Sequence, residues 1–137
     1  METTDKLAIQ ELLSRAAYGY DEHDLDMVEK CFAPEASMVV RIANSDDVGP
    51  FKGREAIMKL MADSMSGQTD KRRHVITNVF FEAEGNADVT VVSYVTLFGT
   101  ENGKNRLITT GVYRDKVIKV DSDWLISVRD LGLDLPY

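Results

Sequence analysis

The chain has 137 residues and a net charge of −7, about the size of one domain, and residues 1–137 are expected to form a single one. One cysteine, Cys31, excludes an intrachain disulfide, and no apolar run approaches the roughly 18 residues that span a membrane. Residues 1–50 hold eleven acidic and four basic residues, so the excess charge lies there, which argues against nucleic acid and an anionic membrane surface as partners.

The first 20 residues read as a helix. Leu7, Leu12, Leu13, Ala16, Ala17 and Tyr20 form one apolar stripe. Thr3 or Thr4 is expected as N-cap, with Asp5 placed against the positive end. A short second helix follows Asp24, with Leu25, Val28, Cys31 and Phe32 on its buried side, limited by Pro34. Residues 37–42 (SMVVRI) read as a strand, and Ala43–Phe51 (ANSDDVGPF) as a loop. A third helix runs from Arg54 to about Met65, with Ile57, Leu60, Met61 and Met65 inward. From Lys71 onward, four segments rich in Val, Ile, Thr, Tyr and Phe are separated by turns at Gly85-Asn86, Glu101–Asn105 and Asp121–Asp123. Short linkers predict an antiparallel meander of strands about 7–14 residues long. The fold class is α+β: three helices on a strongly curved, mostly antiparallel sheet that encloses a hydrophobic pocket.

Few residues carry chemistry. His23 sits among four carboxylates in DEHDLD (residues 21–26) and reads as a solvated loop residue. His74 lies near a strand start, where alternation groups it with Ile76, Asn78 and Phe80 and sets Arg73, Val75, Thr77, Val79 and Phe81 on the other face. Asp21 ends the first helix, where the dipole disfavours a carboxylate. A histidine is the partner that rewards its charge, since a carboxylate on one ring nitrogen raises the basicity of the other. Tyr18, Tyr94, Arg114, Arg129 and Asp130 are further pocket candidates. No GxGxxG, P-loop or G-x-S-x-G motif is present. Two histidines far apart make no metal site, so neither metal nor other cofactor is expected. Cys31 and the methionines Met58, Met61 and Met65 read as packing residues.

The run YDEHDLDMVEKCFAPEASMVV, the segment FKGREAI (Phe51–Ile57), the R-x-H-x-x-x-N spacing of Arg72–Asn78 and the closing Asp123–Ile126 stand in an order that resembles the SnoaL-like branch of the nuclear-transport-factor-2-like superfamily. The resemblance covers nearly the whole chain. It implies a cone-shaped α+β barrel around a pocket and dimers through the outer sheet face. Within the superfamily the motifs are most similar to scytalone dehydratase and hexachlorocyclohexane dehydrochlorinase. By that likeness Asp21 and His74 form the catalytic pair, and Tyr20 matches a tyrosine of the dehydratase. The dehydratase's second active-site histidine has no counterpart in VVSYVTLFG. The implied activity is that of a cofactor-independent lyase or isomerase of dehydratase, dehydrohalogenase or ketosteroid-isomerase type, acting on a small, fairly apolar, cyclic substrate; the N-terminus METTDKLAIQELL, with no basic start before an apolar core, makes the cytoplasm the expected location. Tyr20, Tyr94 and Arg129 are the expected substrate-binding groups. The same scaffold also serves non-catalytic ligand binding and, less favoured on length, the small subunit of ring-hydroxylating dioxygenases.

Overall fold

A computed structural model describes residues 1–85 and 87–137. The expected turn residue Asn86 lies outside the described residues. Helix α1 (Thr3–Asp21), helix α2 (Leu25–Glu29) and strand β1 (Phe32–Ile42) lead into a short strand β2 (Val48–Lys52) and helix α3 (Arg54–Ser66). Four long strands follow: β3 (Lys71–Glu84), β4 (Asp88–Glu101), β5 (Lys104–Val120) and β6 (Asp123–Leu133). They form one six-stranded sheet of order β2-β1-β6-β5-β4-β3. Among the described residues only β1 and β6 pair in parallel; the other neighbours are antiparallel. The architecture is α+β, with the helices packed on one face of a curled sheet. No described helix is long and apolar enough to cross a membrane.

The core lies between that face and the helices. Ile9, Leu12, Leu13 and Ala16 of α1 and Ile57, Met61 and Met65 of α3 meet Val91, Val95, Val117 and Ile126 of the sheet. Leu7, expected in the stripe, is exposed, and Ile9 takes the inward place. The cap is Glu2, not Thr3 or Thr4: its backbone N–H donates to the Asp5 carboxylate (3.1 Å). Asp24 caps α2, accepting from Met27 N–H (3.1 Å). Leu25 is exposed, and Phe32 lies already in β1.

Two differences from the expected strands have plain causes. β1 starts five residues early, at Phe32, although it contains Pro34. Proline's missing N–H costs no ladder bond there, because β2 pairs with β1 only from Ser37 onward and β6 pairs with β1 at Phe32 and then again from Ser37. The end of the expected loop, with Lys52 beyond it, forms β2 and pairs back on β1, with Phe51 opposite Met38. At 17 residues, β5 outruns the expected length. Its hairpin with β4 turns through Asn102 and Gly103, both at positive φ, as a tight two-residue turn requires.

Candidate functional site

Asp21 is placed by the way α1 ends. Gly19 lets α2 pack close: a Cβ there would stand 3.0 Å from Val28 Cγ2. Its carbonyl accepts the Asp24 N–H (2.8 Å), and His23 turns the chain at positive φ while exposed. Asp21 thus remains on the last turn of α1, over the start of β3. Both its oxygens are engaged by one residue. Oδ1 lies 2.6 Å from His74 Nδ1, and Oδ2 accepts the His74 backbone N–H at 2.7 Å. Two donors offset the cost of a carboxylate at a helix C-terminus. Beside them Arg73 reaches Glu22 (3.2 Å) and ties the same helix end to the same strand. The pair is nearly buried, with side-chain exposures of 14% for His74 and 6% for Asp21.

An Nδ1–H donated to Asp21 leaves Nε2 with its lone pair. His74 lines a cavity of about 70 Å³ between helices and sheet, well above the ~10–15 Å³ one water needs. The walls are mainly apolar: Ala16 and Ala17 of α1, Leu60 and Met61 of α3, Val95 and Leu97 of β4, Leu131 and Leu133 of β6. The polar lining comes from Tyr20, Ser64, Arg72, His74, Tyr113, Arg129 and Tyr137. Among the described residues, no group of three or more His, Cys, Asp or Glu is arranged to hold a metal ion.

Tyr20 stands edge-on to the His74 ring, centroids 5.1 Å apart at 75°. Gln68 Nε2 donates to its hydroxyl oxygen (2.6 Å), which leaves the phenol proton for another acceptor. Burial raises the Tyr20 pKa above the ordinary tyrosine value, so it remains a donor at neutral pH. Arg129 also lines the cavity, but its Nε and Nη2 are taken by the two oxygens of Asp115, each at 2.9 Å, and Asp115 is fully buried. Burial disfavours the Arg129 cation, yet Asp115's charge and hydrogen bonds keep its pKa above the ordinary arginine value. Its guanidinium lies 4.0 Å from the Tyr113 ring centre. Burial pushes the Tyr113 pKa up to about 12.

The other sequence candidates lie elsewhere. Tyr94 is half exposed on the opposite face of the sheet, across from Thr77. It is off phase with the inward Val95 and Leu97, so the pleat turns it away. Tyr18 is exposed on α1. Arg114 pairs with Glu82 and Asp130 with Arg41 at the surface. Cys31 is buried, its thiol directed at the Met27 carbonyl oxygen (3.3 Å). On β3 the expected alternation breaks at Asn78, which has positive φ where the register with β4 shifts. Beyond this bulge Val79 and Phe81 pack against the core and Phe80 faces out.

Sequence reasoning missed Arg72, Tyr113 and Asp115. Alternation carried the signal for each: Arg72 is two residues before His74, and Tyr113 and Asp115 are in phase with the buried Val117. Asp115 is also the direct cross-strand neighbour of Arg129.

A family model described as the SnoaL-like domain matches residues 1–130. No curated protein matches the chain. Among solved structures, the chain is similar to a protein of unknown function with a cystatin-like fold from Nostoc punctiforme (TM-score 0.81, 21% identity, covering 99% of this chain and 97% of that one). A provisionally assigned scytalone dehydratase from Novosphingobium aromaticivorans superposes with TM-score 0.78 at 20% identity, covering 96% and 85%. The beta subunit of a provisionally assigned aromatic-ring-hydroxylating dioxygenase from the same organism gives TM-score 0.82 at 15% identity, covering 98% and 92%. Likeness at this level speaks for the fold.

Proposed function

The chain belongs to the SnoaL-like domain family, and from that premise we propose that it is a lyase or isomerase that works without a cofactor, removing a proton from carbon in a small, fairly apolar, cyclic substrate. The observation that carries this reading is the 2.6 Å contact between Asp21 and the Nδ1 of a histidine lining an apolar cavity. His74 Nε2 takes the proton. Asp21 holds the ring and stabilises the imidazolium, as a buried carboxylate does for a catalytic histidine. Such general-base catalysis supplies about 10²–10⁴ in rate. Tyr20, its oxygen already accepting from Gln68, donates to the departing hydroxide or halide, or to the developing oxyanion. In elimination the carbanionic electron pair expels the leaving group. In isomerisation the imidazolium returns the proton to another carbon.

Two other readings use the same scaffold. A ligand-binding protein would use Asp21 and His74 as hydrogen-bonding anchors. A dioxygenase small subunit would serve assembly, and length does not set the chain apart from such subunits, since it covers 92% of one. Both rank lower because neither requires a carboxylate spending both oxygens on one cavity histidine. A homodimer through the outer sheet face fits the exposed Val75, Tyr94, Phe98 and Leu107, which share the face opposite His74. The test is turnover on small cyclic alcohols, halides and enolisable ketones. His74→Ala and Asp21→Asn should each abolish it while circular dichroism reports an intact fold. Full activity in both variants would overturn the mechanism.

A further inference from the structure

The cavity's two arginines differ in how their donors are used. Arg129 is neutralised by Asp115 in a two-point pair. Arg72 is 9% exposed and gives its Nε to Asp70 Oδ1 (2.8 Å). Asp70 makes no second bond to Arg72, and its other oxygen accepts from Arg106 Nη2 (3.1 Å). Nor can Asp70 swing freely. It fills the space left by Gly99, where a Cβ would come within 2.7 Å of its Oδ2. The buried Nη1 of Arg72 therefore has no hydrogen-bond partner among the described residues. Gln68 Oε1 and Ser93 Oγ share that condition, but neither residue lines the cavity, and Arg72 does.

A buried guanidinium N–H without an acceptor is costly, and one carboxylate facing two guanidinium groups leaves one positive charge in excess. Both deficits call for a single acceptor of charge −1. Arg72 and His74 are two residues apart on β3, about 6.6 Å along the strand, and both line the cavity. An acceptor on Arg72 thus lies a few bonds from a carbon facing His74 Nε2. A phosphate or sulfate dianion would carry a second charge into a cavity with mainly apolar walls, which is costly.

Resting on the reading of this cavity as the substrate site, we propose that the substrate bears a carboxylate and that Arg72 binds it through Nη1, so the protein acts on small cyclic acids. Arg72 is then the residue that determines specificity.

The test compares phenylacetate with its neutral isostere phenylacetamide by isothermal titration calorimetry on the full chain. A charge-assisted bond in a buried site favours the acid by about tenfold to a hundredfold. Arg72→Met should remove that preference, and Arg72→Lys, which keeps the charge and loses the fork, should retain part of it. His74→Ala should leave it intact. Equal affinity for acid and amide in the wild type overturns the inference. So does a preference surviving in Arg72→Met, or no binding of either probe at millimolar concentration. If Arg72→Met does not fold, the wild-type comparison and Arg72→Lys decide. A wild-type protein that prefers the acid but turns nothing over defeats the catalytic reading and leaves this subsite standing. Turnover of cyclic substrates with no acid preference does the reverse.

Discussion

Replacing Arg129 by methionine should destabilise the protein severely. The substitution leaves Asp115, with no solvent exposure, without the guanidinium that bonds both its oxygens. Breaking a buried pair from one side costs about 3–5 kcal/mol. At about 2.1 cal/mol/K of unfolding entropy per residue, a chain of 137 residues should melt about 10–17 °C lower. The partner substitution separates charge from packing. Asp115→Leu added to Arg129→Met removes the stranded carboxylate and should recover most of the loss, since an apolar replacement of a whole buried pair is often neutral or better. The assay is thermal and urea unfolding of the wild type, both single variants and the double variant. A loss below about 1 kcal/mol in Arg129→Met, far short of the cost of a stranded buried charge, would refute the reasoning. A double variant no more stable than the single would refute it too.

Three further outcomes follow from the same geometry. Burial works against the Asp70 carboxylate, but the hydrogen bond and charge of Arg72 and the charge of Arg106 hold its pKa below the ordinary carboxylate value. Its stabilisation is fully present above the unfolded value near ~3.9 and is lost as pH falls through the folded one. Urea midpoints should therefore fall less steeply between pH 5 and pH 2 in Asp70→Asn, and an unchanged slope would remove Asp70 from the acid response. Gly111→Ala drives a Cβ into the Gly132 carbonyl oxygen of the neighbouring strand and should cost about 1–3 kcal/mol. Gly132→Ala, whose Cβ meets nothing nearer than Val112 O at 4.0 Å, should be nearly neutral, and equal losses at both sites would contradict the register. Once a substrate is in hand, Tyr20→Phe should lower kcat, whereas Tyr94→Ala, altered on the outer face, should leave it unchanged.

The helices and the four long strands are legible because plain stop signals bound segments of distinct residue type, apolar stripes in α1 and α3 and Val, Ile, Thr, Tyr and Phe in the strands. Ile57, Met61 and Met65 mark α3, and Asn102-Gly103 marks the β4–β5 turn. The features that escaped depend on tertiary pairing. β2 is written in loop residues, Gly49 and Pro50 among them, and becomes a strand because β1 offers an edge. The bulge at Asn78 flips the pleat, and nothing local announces it. Asp21 and His74 are 53 residues apart in sequence. Composition and spacing nominated each separately, and the family resemblance paired them. Arg129 reads as a cavity residue, but its counter-ion Asp115 is marked only by the alternation that sets it inward on β5. The chemistry of Tyr94 suits a pocket, but its phase on β4 sets it on the outer face.

The central claim is that His74, held by Asp21, takes a proton from carbon inside the cavity. Solvent-deuterium incorporation into a small cyclic ketone such as 1-indanone, followed by proton NMR, tests it without requiring the natural substrate. The account predicts exchange at the enolisable carbon above the buffer rate with wild-type protein, falling to the buffer rate in both His74→Ala and Asp21→Asn. Exchange by His74→Ala at the wild-type rate would contradict it.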